Sequence, residues 1–156
     1  MKRLKKIKLL LIIGLIIFGV IISCGCTKAE SYQDQEFSAL VSESGNETSV
    51  LLNDILNSAE NLDSYGVLIY GAALKVTADN YITECEELKV SPEFEQAQKY
   101  YIKALEEISN AGYNYGTAGE YMGKLDYNSA ADYINKANEN VNSATEYLNL
   151  FNESLS

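Results

Sequence analysis

From Phe94 onward the chain places a large apolar or aromatic residue at every seventh position: Phe94, Tyr101, Ile108, Tyr115 and Met122. Three residues after each of the first four stands an alanine, at Ala97, Ala104, Ala111 and Ala118. After Leu125-Asp126 the grid restarts with Tyr127, Ile134, Val141, Leu148 and Leu155, with Ala130, Ala137, Ala144 and Phe151 in the second column. A 3–4 spacing held this long predicts two helices whose stripes meet in a coiled-coil-like core seam. Alanine in one column lets the helices approach more closely than a leucine seam would. The break at Gly123-Lys124-Leu125-Asp126 is short enough to force the partners antiparallel, and Asp126 is placed to cap the second helix.

Two further helices precede these. The first is expected from about Phe37 to Leu62, with Phe37, Val41, Thr48, Leu51, Ile55 and Leu62 on one face, and Ser44-Gly45-Asn46 predicts a kink or break within it. Asp63-Ser64 is a turn and cap signal. The second helix, about Tyr65 to Leu88, alternates large and small along Val67, Gly71, Leu74, Ala78, Tyr81, Cys85 and Leu88. Ser91-Pro92 predicts an N-cap with proline at the first position of the next helix. The expectation is an all-α chain in which residues 37–156 form an up-down-up-down antiparallel four-helix bundle, preceded by a polar tether at 27–36.

The amino-terminal 26 residues read as a targeting segment. Lys2, Arg3, Lys5, Lys6 and Lys8 precede an apolar run from Leu9 to Ile22, followed by Ser23-Cys24-Gly25-Cys26. The stretch Ile21-Ile22-Ser23-Cys24 resembles a prokaryotic lipoprotein signal, in which an apolar residue, a small residue and a cysteine mark cleavage and lipidation. The resemblance implies lipidation at Cys24, with Cys26 the second choice because Ser23 stands where leucine is usual. The other reading is an uncleaved membrane-anchor helix, although the apolar run falls short of the roughly 20 residues a span prefers. Both put the basic end in the cytoplasm and the acidic domain on the extracytoplasmic side of the cell membrane, at the cell surface. A second, smaller resemblance lies at the last joint. Ala118, Tyr121, Asp126-Tyr127, Ala130, Ile134 and Ala137 follow the rhythm of a tetratricopeptide turn over about twenty residues. Asn114 and Thr117 stand where that family has tryptophan and leucine, and no second copy follows, so it implies one helical hairpin.

Charge narrows the function classes. The chain carries −10 overall, but all 22 acids lie at Glu30 or later, and beyond residue 26 seven lysines face them, a balance of −15. Such a surface repels nucleic acid, so no nucleic-acid partner is expected. Histidine is absent, which removes the commonest general base and metal ligand together. No catalytic residue, cofactor or metal is expected. The clusters Glu84, Glu86, Glu87 and Glu106, Glu107 lack an oxygen-ligand loop and read as solvated faces. Asn46-Glu47-Thr48 and Asn152-Glu153-Ser154 match the N-glycosylation acceptor pattern. Cys85 falls in a small-residue column and reads as a buried thiol.

Glycine and tyrosine concentrate where the first and third joints would share one end of such a bundle. Gly66, Gly71, Gly112, Gly116, Gly119 and Gly123 lie among Tyr65, Tyr70, Tyr113, Tyr115, Tyr121, Tyr127 and Tyr133. An interior helical glycine costs about 1 kcal/mol relative to alanine, so something must offset several of them. Close helix approach is one explanation. The other is a notch in which Tyr65, Tyr70, Tyr113, Tyr115 and Tyr121 receive a protein partner at the distal tip. The sequence therefore points to a non-enzymatic, membrane-anchored surface module serving as spacer or docking platform. The alternative is an extracytoplasmic small-ligand sensor or carrier, which needs an apolar pocket near Gly112–Gly119.

Overall fold

The computed structural model describes residues 32–156, so the targeting segment, Cys24, Cys26 and the first half of the tether lie outside the described residues. Four helices account for the described chain: α1 (Asp34–Glu60), α2 (Ser64–Glu87), α3 (Glu95–Gly123) and α4 (Tyr127–Ser154). No strand occurs among the described residues. The heptad grid is the core. Tyr101, Ile108, Tyr115 and Met122 are buried, as are all four alanines of α3 and Ala130, Ala137 and Ala144 of α4. Three apolar clusters follow one another along the interior, one around Phe37, Tyr101 and Phe151, one around Leu74, Ile108 and Val141, and one of Val67, Met122 and Ala130.

α3 is the central element, packed along both α2 and α4, while α1 leans mainly on α2. α1 meets α4 through Phe37 and Phe151, whose rings lie 6.3 Å apart and edge to face. Along α2 and α3 the touching residues run in opposite order: Lys75 at Gly112, Gly71 at Gly116, Leu68 at Gly119. α3 and α4 do the same, with Tyr115 bonded to Asn138 and Tyr121 stacked on Tyr133. At the α1–α2 joint Ser58 sits against Gly66.

Several boundaries differ from the sequence expectation, each for a local reason. α1 starts at Asp34, three residues early. Asp34 and Glu36 stand in its first turn, where carboxylates suit the helix dipole. Asp34 also accepts from the Ser91 N–H at 2.8 Å, and the Gln33 N–H donates to the Lys89 carbonyl at 2.9 Å. The predicted kink at Ser44-Gly45-Asn46 is absent, since α1 is one unbroken helix. The Ser44 and Thr48 hydroxyls donate to the carbonyls of Leu40 and Ser44, one turn back. Ser44 Oγ also bonds Tyr101 Oη at 2.6 Å, so the two buried hydroxyls are satisfied inside the core. α3 starts at Glu95 rather than at Pro92, because residues 92–94 form a turn. That turn leads into the helix through the Ser91 carbonyl, which accepts from Phe94 and Glu95. Tyr127, the first grid position of α4, is exposed.

The two joints joining α1 to α2 and α3 to α4 are built alike. In each, a leucine takes a left-handed backbone, Leu62 with φ 56° and Leu125 with φ 60°. Leu62 N–H donates to the Ala59 carbonyl and Asp63 N–H to Ser58; Leu125 N–H donates to Met122 and Asp126 N–H to Tyr121. This is the bond pattern of a Schellman motif, with leucine where glycine is usual. The aspartate that follows then caps the next helix. Asp63 accepts from the Gly66 N–H at 3.0 Å, and Asp126 from the Ser129 N–H at 3.2 Å.

The glycines give a stability test with both signs. A Cβ at Gly119 would stand within 3.0 Å of the Leu68 backbone, and one at Gly71 within 3.0 Å of the Gly116 backbone. Gly119→Ala and Gly71→Ala are predicted to lower unfolding free energy by about 2 kcal/mol or more, because backbone cannot step aside as a side chain can. At Gly116 the nearest atoms lie at 3.7 Å. Gly116→Ala is predicted to raise stability by roughly 0.5–1 kcal/mol through helix propensity. Urea denaturation of the three variants checks the contrast.

Candidate interaction surface

The glycine space is filled by protein. Over Gly71, Gly112 and Gly119 the neighbouring atoms are the backbone of the facing helix, which is what close approach of α2 and α3 requires. Gly112 and Gly119 on α3 therefore serve packing, and no tyrosine-lined notch opens over them.

The five candidate tyrosines divide accordingly. Tyr115 lies in the core, its hydroxyl 2.8 Å from Asn138 Oδ1, and takes no part in the surface. Tyr121 is half-buried, stacked on Tyr133 at 5.5 Å with the rings 14° from parallel. Lys124 covers the Tyr121 ring at 5.2 Å and Lys136 covers Tyr133 at 4.5 Å. Tyr65 and Tyr113 are exposed at 71% and 60%, and Tyr70 is exposed as well.

One group escaped sequence reasoning. Ser64, at the start of α2, has its hydroxyl 3.7 Å from where a Cβ on Gly123 would stand, at the end of α3. The α1–α2 and α3–α4 joints therefore lie side by side. Their leucines are the outlying members of the apolar pattern: Leu62 is 61% exposed and Leu125 73%. Tyr65 and Tyr127 follow them within three residues, both exposed. The signal was the Leu-Asp pair standing at both joints, Leu62-Asp63 and Leu125-Asp126. Periodicity assigned Leu62 to the core face because it does not register where the helix stops.

The charges around this end are mostly negative, and most lysines of the described chain have a partner. Of the six lysines described, four lie over tyrosine rings: Lys89 on Tyr32, Lys103 on Tyr147, Lys124 on Tyr121 and Lys136 on Tyr133. Lys75 pairs with Asp79. Asp79 is lowered overall: partial burial pushes it up, but hydrogen bonds from Lys75 and Ser109 outweigh that. Asp126, fully exposed, is lowered by its bonds to the Ser129 hydroxyl and backbone N–H.

The buried acids shift the other way. Burial pushes the Cys85 thiol up to about 12, helped by Glu84 and Glu86. Tyr81 rises to about 12 through burial, a hydrogen bond to Glu47 and the nearby Glu43 and Glu84. Burial raises Tyr101 and Tyr115 further. Cys85 is thus a poor nucleophile in the folded state. An open cleft of about 480 Å³ between α1 and α2, bordered by Glu36, Glu43, Glu84 and Glu87, is the other acidic feature. Among the described residues no three His, Cys, Asp or Glu side chains come together to hold a metal ion. The chain matches no protein-family model, and no curated protein or solved structure shows significant similarity to it.

Two outcomes follow for solution measurements. Tyr113→Ala, on the exposed side of α3, is predicted to leave stability within about 0.5 kcal/mol of the parent. Tyr121→Ala, which removes the ring stack, is predicted to cost about 1–2 kcal/mol in the same denaturation assay. The raised thiol and phenols fix the alkaline behaviour. Their charged forms are disfavoured only in the fold, so their contribution is complete below the unfolded values, about 8.5 for cysteine and 10 for tyrosine. It is lost as pH rises through the folded values. The urea midpoint is predicted to fall steadily from about pH 9 upward, with a late-ionising set of tyrosines visible in ultraviolet absorbance.

Proposed function

We propose that the chain is a non-enzymatic lipoprotein whose acidic helical domain is held on the extracytoplasmic side of the cell membrane as an interaction module. The observation that carries this reading is the order at the amino terminus: five basic residues, an unbroken apolar run, then Ile21-Ile22-Ser23-Cys24. Modification of Cys24 would leave the domain attached through a short polar tether. Its four helices are read as an up-down-up-down antiparallel bundle. The opposed contact order along α2–α3 and α3–α4 supports that arrangement, as do joints of only three or so residues within each hairpin.

On this reading the bundle holds its joint end away from the membrane. Gln33 lies beside Lys89 at the α2–α3 connection, the end opposite the two leucine joints. Among the described residues no helix is long and apolar enough to cross a membrane, so attachment falls to the amino-terminal segment. A carrier would need an apolar pocket at Gly112–Gly119, where the α2 backbone sits; a spacer or docking module needs none. The lack of histidine and the inert Cys85 support a role without chemistry.

The test is mass spectrometry of the mature amino terminus after expression of the full chain in a prokaryotic host that processes lipoproteins. The expected species begins at Cys24 and carries a lipid mass, fractionates with membranes and is digested by external protease. Cys24→Ser is expected to abolish that species. Recovery of the intact chain from the cytosol, beginning at Met1, would contradict the proposal.

A further inference from the structure

We propose that the two leucine joints form a docking tip for a protein whose contact face is apolar and ringed by lysine or arginine. This inference rests on the docking reading above and gives it a place and a partner chemistry.

The first argument is the leucines themselves. At Leu62 and Leu125 the backbone is left-handed, the conformation that glycine adopts without penalty. Glycine would make the same Schellman bonds and expose no apolar side chain. Both positions instead carry leucine, and both side chains point into solvent rather than into any core cluster. Local stability therefore does not account for either one. The second argument is placement. Ser64 lies beside Gly123, 3.7 Å from where a Cβ there would stand, so Leu62, Tyr65, Leu125 and Tyr127 belong to one end of the molecule. The other exposed aliphatic side chains, such as Val50, Val76 and Leu150, stand on helix flanks.

Charge selects the occupant. Asp63 and Asp126 directly follow the leucines, and Glu60 and Glu120 lie close before them. The cation at this end, Lys124, is spread over the Tyr121 ring and 3.9 Å from Glu120. The described residues carry 21 acids against six lysines. A second copy would bring like charge against like, and an anionic lipid surface would be repelled. A basic, apolar protein face satisfies both halves of the tip.

The experiment uses the full chain in neutral detergent micelles and, as probe, a synthetic amphipathic helical peptide of leucine and lysine. Calorimetric titration gives the affinity, and hydrogen-exchange mass spectrometry gives the footprint. The expected result is saturable binding with protection confined to residues 61–66 and 124–129. The Leu62→Gly/Leu125→Gly variant is expected to bind at least about tenfold more weakly while melting no lower than the parent. Equal binding by parent and variant, or protection spread along the acidic helix faces, would overturn the proposal. So would a dimer of the parent in sedimentation that the variant loses, which assigns the tip to a second copy. Tip-dependent uptake by uncharged phosphatidylcholine vesicles would assign it to lipid and overturn it as well. None of these readouts needs lipidation or export, so their failure leaves the localisation reading standing, and the reverse also holds.

Discussion

The close approach of α2 to α3 is the constraint on which the rest depends. Three glycines, Gly71, Gly112 and Gly119, allow backbone to lie on backbone, with no side chain between. This contact joins one hairpin, α1–α2, to the other, α3–α4. It also decides which ends coincide. Because Gly119 faces Leu68 and Gly123 faces Ser64, the α1–α2 joint cannot lie anywhere but beside the α3–α4 joint. The surface at that end is a consequence of packing in the interior of the seam.

The two seams of α3 work by different means. Toward α4 it turns the Tyr115 hydroxyl and the Tyr121 ring, which meet Asn138 and Tyr133. Toward α2 it presents glycine, and backbone lies against backbone. A helix built this way buries Tyr101 and Tyr115 fully while their hydroxyls find partners, Ser44 and Asn138, and among the described residues no buried side-chain polar atom is left unpaired. Fitting α3 to two different neighbours explains why it, and not α1, holds the longest run of buried positions.

Much of the fold was legible in the residue pattern. The grid from Phe94 to Leu155 marked α3, α4 and their buried faces, and Asp63 and Asp126 marked the caps. The misreadings share a cause. Ser44-Gly45-Asn46 looked like a break because propensity knows nothing of Tyr101, whose hydroxyl meets Ser44 across the core. Ser91-Pro92 has the form of a helix start, although the chain makes a turn at 92–94 before α3 begins. Tyr115 entered the candidate surface by composition alone, and its heptad position was the better guide to where it lies. The leucine joints were missed for the opposite reason. Leu62 keeps the register of the core face while its left-handed backbone turns it outward, and Leu125 stands within the joint itself. The amino-terminal reading stands on residue order alone, since that segment lies outside the described residues.

The most direct test of the glycine seam is a designed disulfide across it. A Cβ on Gly123 would lie 4.0 Å from the Ser64 Cβ, within the range that a disulfide bridges without moving the backbone. With Cys24, Cys26 and Cys85 replaced by serine, Ser64→Cys/Gly123→Cys is predicted to oxidise in air to a monomeric crosslinked chain with stability no lower than that background. A pair that stays reduced, or a cysteine at Ser64 that instead crosslinks to one placed at Glu95, would contradict the account.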